Sequence, residues 1–329
     1  MNIRKVLISI SILLAITVIA IGSYTRLTHA GLGCPDWPGC YGHATVAQIH
    51  NDTIANLNID TTKAWTEMVH RYFAGSLALL IVAIGFLNFR QKINIKTTIL
   101  LLVTIVFQAL LGMWTVTWKL LPTVVMAHLL GGFLTLSLLW FLLLDSTKMS
   151  FNSNLKISKF TKIFSLIALI TISIQIILGG WTSSNYAALP CLDFPTCNNY
   201  LLPNSDLLKN FTTAFNPLHA IGPNYHGGLL DYNSRVLIQL VHRLGAYINF
   251  IIILILIVSN FYNKYYFKIN IILISLLILQ ISLGILNVKL FLPVFIAVSH
   301  TTVGVLLLLI IIALNYFNLS NNSNKQNTI

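Results

Sequence analysis

Glu67-Met68-Val69-His70-Arg71 is written again 172 residues later as Gln239-Leu240-Val241-His242-Arg243. The same offset carries Gln108 onto Gln280, Gly112 onto Gly284, Val116 onto Val288 and His128 onto His300. Three successive segments therefore repeat without a gap, the mark of an internally duplicated architecture. Upstream, Cys34-Pro35-Asp36-Trp37-Pro38-Gly39-Cys40 matches Cys191-Leu192-Asp193-Phe194-Pro195-Thr196-Cys197 at an offset of 157, which leaves a 15-residue insertion in the second copy. The repeat thus reaches back to pair the first apolar segment of the chain with the fifth.

Those segments read as membrane spans. Hydrophobic residues make up 56% of the 329 residues and charged residues 9%, with a mean hydropathy of +0.81. A soluble domain carries about 25% charged residues, so a soluble globule is excluded. A bilayer core about 30 Å thick requires roughly 20 apolar residues per helix. Runs of that length fall near 6–23, 68–89, 97–117, 122–144, 161–182, 235–260, 268–288 and 293–317. An all-α integral membrane protein of eight transmembrane helices is expected. Four spans per half is an even number, which makes the halves parallel four-helix repeats related by an axis along the membrane normal. The domains expected are a first half over 1–144, a cytoplasmic linker over 145–160, a second half over 161–317 and a polar, Asn-rich, disordered tail over 318–329.

The net charge of +12 is spread singly between apolar runs, which argues against a nucleic-acid face. Twelve of the twenty cations, among them Arg4, Lys5, Arg90, Lys92, Lys148, Lys156, Lys159 and Lys264, fall on the side that holds both termini. Once the acids are assigned, that side carries +11 and the other +1. The positive-inside rule then puts both termini in the cytoplasm. The first span could be mistaken for a cleaved signal peptide, but its pairing with span five makes it part of the fold. No acidic-poor, Arg- and Ser-rich segment precedes it, so the inner (plasma) membrane of a bacterium is the expected location. Trp37, Trp65, Trp114, Trp118 and Trp181 sit at the outer boundary, where interfacial anchoring is expected.

Equivalent residues of parallel repeats lie at equal depth. His70 and His242 open spans two and six, while His128 and His300 lie about 9–10 Å inside the outer boundary of spans four and eight. One intramembrane histidine is as often a packing partner as a ligand. Four of them, paired by repeat and depth, point to imidazoles gripping a haem iron in each half. Small residues follow each at i+4, namely Ala74, Gly132, Ala246 and Gly304, on the face where a macrocycle needs room. The halves differ at Glu67, the only glutamate in the chain, whose counterpart is Gln239. A carboxylate at the membrane marks a functional site; the plainer alternative is an i+4 pair with Arg71 at a helix end. Arg71 and Arg243 are candidates for haem propionate contacts, with snorkelling the alternative. His29, His43, His50, His219 and His226 fall outside the repeat and are expected to face solvent. The outer loops hold the four cysteines, for which an oxidising face favours one disulfide per loop. A four-cysteine zinc site is the alternative, though the spacing is wider than such sites use.

Tyr24-Thr25-Arg26-Leu27-Thr28 ahead of the first cysteine loop, the Glu67-x-x-His70-Arg71 opening, His128, the His242-Arg243 pair and His300 together resemble the heme A synthase family, from about residue 6 to 317. The resemblance implies oxidation of the C8 methyl of haem O to the formyl of haem A by successive hydroxylations, for cytochrome oxidase. It implies His242 and His300 as ligands of a resident haem b, His70 and His128 as the substrate haem ligands, and Glu67 as essential to the chemistry. By the same resemblance, Cys34 and Cys40 take part in electron or substrate handling, and Cys191 and Cys197 form a stabilising disulfide. Haem O synthase and the cytochrome oxidase assembly machinery are the implied partners. The chief rival is a bis-histidine dihaem electron-transfer cytochrome, which gives Glu67 no role. A transporter would need polar groups near the midplane, where these spans carry Leu, Ile and Val.

Overall fold

In lipid a backbone can satisfy its N–H and C=O groups only within its own segment or in a closed barrel, and here the apolar runs become helices. The computed structural model describes residues 3–147, 157–261 and 267–326. Its helices are α1 (Ile3–Leu27), α2 (Asn51–Asn56), α3 (Thr61–Gln91), α4 (Ile95–Thr117), α5 (Pro122–Thr147), α6 (Lys159–Ser184), α7 (Ser205–Leu208), α8 (Phe211–Ala214), α9 (Tyr232–Phe261), α10 (Phe267–Lys289) and α11 (Val294–Gln326). There is no strand among the described residues. Among the described residues, eight helices are long and apolar enough to cross a membrane: α1, α3, α4, α5, α6, α9, α10 and α11.

The helices outrun the hydropathy that announced them. Asp60 caps α3 by accepting from the Lys63 N–H at 3.1 Å, so α3 begins at Thr61 and not at residue 68. His70 consequently lies more than two turns inside the helix. α11 continues to Gln326, past the end expected at 317, and no Pro or Gly falls between 317 and 326; its apolar part ends at Asn318. Lys148, Lys156 and Lys264, used above to assign sides, lie outside the described residues.

α1 packs on α3 and α5, and α4 packs on α3 and α5, which closes a ring of four. α6 likewise packs on α9 and α11, and α10 on α9 and α11. The rings meet through α1 with α11, α5 with α6, and α5 with α11. Their cores are aliphatic. Ile8, Ile81, Ile84, Leu101, Leu136 and Leu139 fill the first, and Ala168, Leu256, Leu273, Ile311 and Leu314 the second. Trp140 packs on both cores and donates its indole N–H to the Leu309 carbonyl at 2.9 Å. Leu79, Phe86, Val106 and Ile278 point outward and are exposed, as lipid-facing residues must be.

The cysteines form two disulfides, Cys34–Cys40 and Cys191–Cys197, each closing its own loop, so the zinc alternative is set aside. One aromatic expectation is also corrected. Trp181 is buried and donates its indole N–H to the Ala214 carbonyl at 2.8 Å, at the end of α8 in the second outer loop. Trp37 and Trp65 are exposed as expected.

Candidate functional site

In each ring of four, the helices that carry histidines stand opposite each other, and the remaining two helices carry glycines at the same level. His70 on α3 faces His128 on α5 with ring centroids 6.4 Å apart and planes at 84°. A Cβ on Gly22 of α1 would lie 2.8 Å from His70 Cε1, and one on Gly112 of α4 would lie 3.4 Å from His128 Cε1. The second ring repeats this. Gly179 of α6 and Gly284 of α10 would each bring a Cβ to 3.2 Å from Cε1 of His242 and His300. Both rings of a pair are thus pressed against bare backbone, which fixes their places. Metal–imidazole bonds of about 2 Å put two rings on opposite sides of one metal about 6 Å centre to centre. The 6.4 Å separation of the first pair fits one metal gripped from both sides.

Glutamines support the histidines. Gln108 donates to the His128 carbonyl at 3.0 Å, and Gly132 of the i+4 set faces this side chain. His300 Nδ1 lies 3.2 Å from the Gln280 carbonyl, and Gly304 faces the Gln280 amide. Gln175 of α6 reaches His242 Nδ1 at 3.1 Å. Gly132 and Gly304, expected to clear space for a macrocycle, therefore also make room for these glutamines. The roles of Gln175, Gly22 and Gly179 escaped the sequence reading; carrying the offset of 157 back along the first span aligns Gly22 with Gly179 and would have exposed them.

Glu67 is buried one turn before His70. One carboxylate oxygen accepts from the Cys34 N–H at 2.9 Å, and the other pairs with Arg71. The i+4 pair weighed as the plain alternative therefore exists, but inside the protein and under the disulfide loop. Arg71 also donates to the carbonyls of Asp36 at 2.8 Å, Pro38 at 3.2 Å and Gly39. In the second half, Arg243 donates to Asp193 at 2.8 Å, Cys191 at 2.9 Å and Thr196. Each Arg directs these donors into a loop. The loop aspartates explain the shared motif, since Asp36 accepts from the N–H groups of Tyr41 and Gly42, and Asp193 from those of Asn198 and Asn199. Gln239, in the place of Glu67, is equally buried, and its Oε1 has no partner.

Among the loop histidines, His29, His50 and His226 are exposed as expected, while His43 and His219 are partly buried. His29 stacks on Tyr186 at 5.8 Å and lies 4.9 Å from His226, with the Arg26 guanidinium over the Tyr186 ring. Burial, then the neighbouring His226, Arg26 and Lys63, push the His29 imidazole below its ordinary pKa. This junction ties the first outer loop to the second.

A chain of eight apolar helices with paired histidines and capped cysteine loops is a multi-pass membrane protein of a specialised kind. The family described as Cytochrome oxidase assembly protein matches residues 5–312. Heme A synthase of Shewanella oneidensis is 43% identical over 319 residues, covering 94% of this chain and 95% of that protein. Heme A synthases of Wolbachia pipientis and Rickettsia akari are 28% and 27% identical, covering 87% and 94% of this chain and 84% and 97% of theirs. The chain belongs to the heme A synthase family of cytochrome oxidase assembly proteins.

Proposed function

We propose that this chain oxidises the C8 methyl of haem O to the formyl of haem A by successive hydroxylations, with the first half as the reacting site and the second as the site of a resident haem b. The observation that carries this assignment is the single carboxylate. Glu67 stands one turn from His70 and is aimed by the Cys34 N–H and Arg71, whereas the second half has an amide there. His70 and His128 hold the substrate haem, and His242 and His300 hold haem b, which when bound supplies electron transfer. Glu67 takes up the proton released at the methyl carbon, or stabilises positive charge that develops there. The glycines flanking each histidine seat the rings, and the Cys34–Cys40 loop closes the outer side of the first site. In this reading Cys34 and Cys40 take part in electron or substrate handling, and the Cys191–Cys197 disulfide stabilises the second loop. Arg71 and Arg243 could reach propionates only with donors not already directed into the loops.

The two rings of four are parallel repeats, a reading supported by the counterpart that each helix pairing in one ring finds in the other. Both termini lie in the cytoplasm of a bacterial inner membrane, where haem O synthase and the oxidase assembly machinery are the partners expected to hand on substrate and product. Extraction of haem from membranes that co-express the chain with a haem O source tests the reading against a dihaem electron-transfer cytochrome. A formyl haem in the pyridine spectrum is expected, and haem O and haem b alone would contradict the assignment.

A further inference from the structure

The two cysteine loops share a motif and meet their helices through different groups. In the second half Arg243 takes the Cys191 carbonyl at 2.9 Å, and Gln239 Oε1 has no partner among the described residues. In the first half the Cys34 N–H is given to Glu67 Oε2 at 2.9 Å, with both cysteines fully buried. The residue ahead of the motif differs as well, since the offset of 157 carries Gly33 onto Pro190. A Cβ on Gly33 would lie 2.6 Å from the Lys63 carbonyl carbon and oxygen and 2.8 Å from the Ala64 nitrogen. Those atoms are backbone of the first turn of α3, which Asp60 caps, so they cannot yield as a side-chain tip would. Cys34 and Cys40 pack in one cluster with Ala64 and Met68, the residues that flank Glu67 on α3.

We propose that Gly33 and the Cys34–Cys40 disulfide are positioning elements for Glu67. The glycine lets the loop lie directly on α3, and the disulfide holds the Cys34 N–H on the carboxylate. This rests on Glu67 being the reacting carboxylate of the first half, and it adds a holding role to the one given above to the cysteines. Arg71 pairs with one carboxylate oxygen and the loop N–H with the other, so the two donors together fix the plane of the group. Without the N–H the carboxylate turns about its last torsion, which has broad wells. A misplacement of about 1 Å in a reacting group lowers a rate about 100-fold. Any side chain at position 33 lifts the loop off α3 and takes the donor with it. Opening the disulfide releases the same donor from the other side. The second loop has no carboxylate to hold, and proline is tolerated there.

The test uses the fact that Glu67 is the only glutamate in the chain. Cell-free synthesis with 13C-glutamate gives full-length protein with one labelled glutamate carboxylate, whose infrared stretch is read in detergent. Gly33→Ala, with its disulfide shown intact by failure to react with a maleimide, is expected to shift that band and to lower haem A output about 100-fold. Cys34→Ser/Cys40→Ser is expected to shift the band too, and Cys191→Ser/Cys197→Ser to leave it in place. Retention of the haem b spectrum checks that each variant is folded. A wild-type band in Gly33→Ala or in Cys34→Ser/Cys40→Ser would overturn the proposal. So would an equal shift in Cys191→Ser/Cys197→Ser, which would mark general loosening. Failure of the underlying reading looks different: the band shifts as expected while haem A output stays at the wild-type level.

Discussion

Glu67 and Gln239 occupy matching positions, are 4% and 5% exposed, and live in opposite circumstances. The carboxylate has a cation and a backbone N–H, while the amide oxygen has no partner. Arg71 therefore balances a buried charge and holds a loop, whereas Arg243 chiefly holds a loop. Removing one partner of a buried ion pair costs about 3–5 kcal/mol; leaving carbonyls unpaired costs about 1–3 kcal/mol each at most. Arg71→Met is accordingly expected to lower unfolding stability in detergent more than Arg243→Met does. Equal losses would mean that Glu67 is not held as a buried charge. The glutamate was legible in the sequence as a charged residue of the repeated motif that its second copy lacks. Its hydrogen bond to Cys34 was not, since no residue pattern announces which backbone N–H a loop will turn inward.

The eight spanning helices were legible from apolar runs because lipid leaves the backbone few other solutions. Their ends were not. α3 starts at a capping aspartate, and α11 runs beyond its apolar stretch, so hydropathy alone does not mark the helix ends. The same limit explains Arg71, Arg243 and Trp181. Read one residue at a time they suited a propionate or an interface, but folded loops brought carbonyls within their reach. The four histidines stood out because imidazoles are rare in such spans, and the structure brings His70 and His128 face to face. Gly22 and Gly179 went unread because α1 carries no histidine or cysteine to draw attention to its register. The structure supplies that register through Gly22 against His70 and Gly179 against His242.

At the scale of the molecule, the proposed orientation, with the cysteine loops outside, rests on the charge asymmetry of the loops. Asn216→Cys on the exposed second loop is expected to react with a membrane-impermeant maleimide in spheroplasts, and Lys96→Cys only after lysis. The reverse pattern would invert the topology and move Glu67 to the reducing side. The central claim is narrower: the half that keeps the carboxylate is the half that reacts. It is tested most directly by the haem extracted from Glu67→Gln co-expressed with a haem O source. The account predicts retained haem b, accumulated haem O and no haem A. Haem A at the wild-type level in that variant would contradict it.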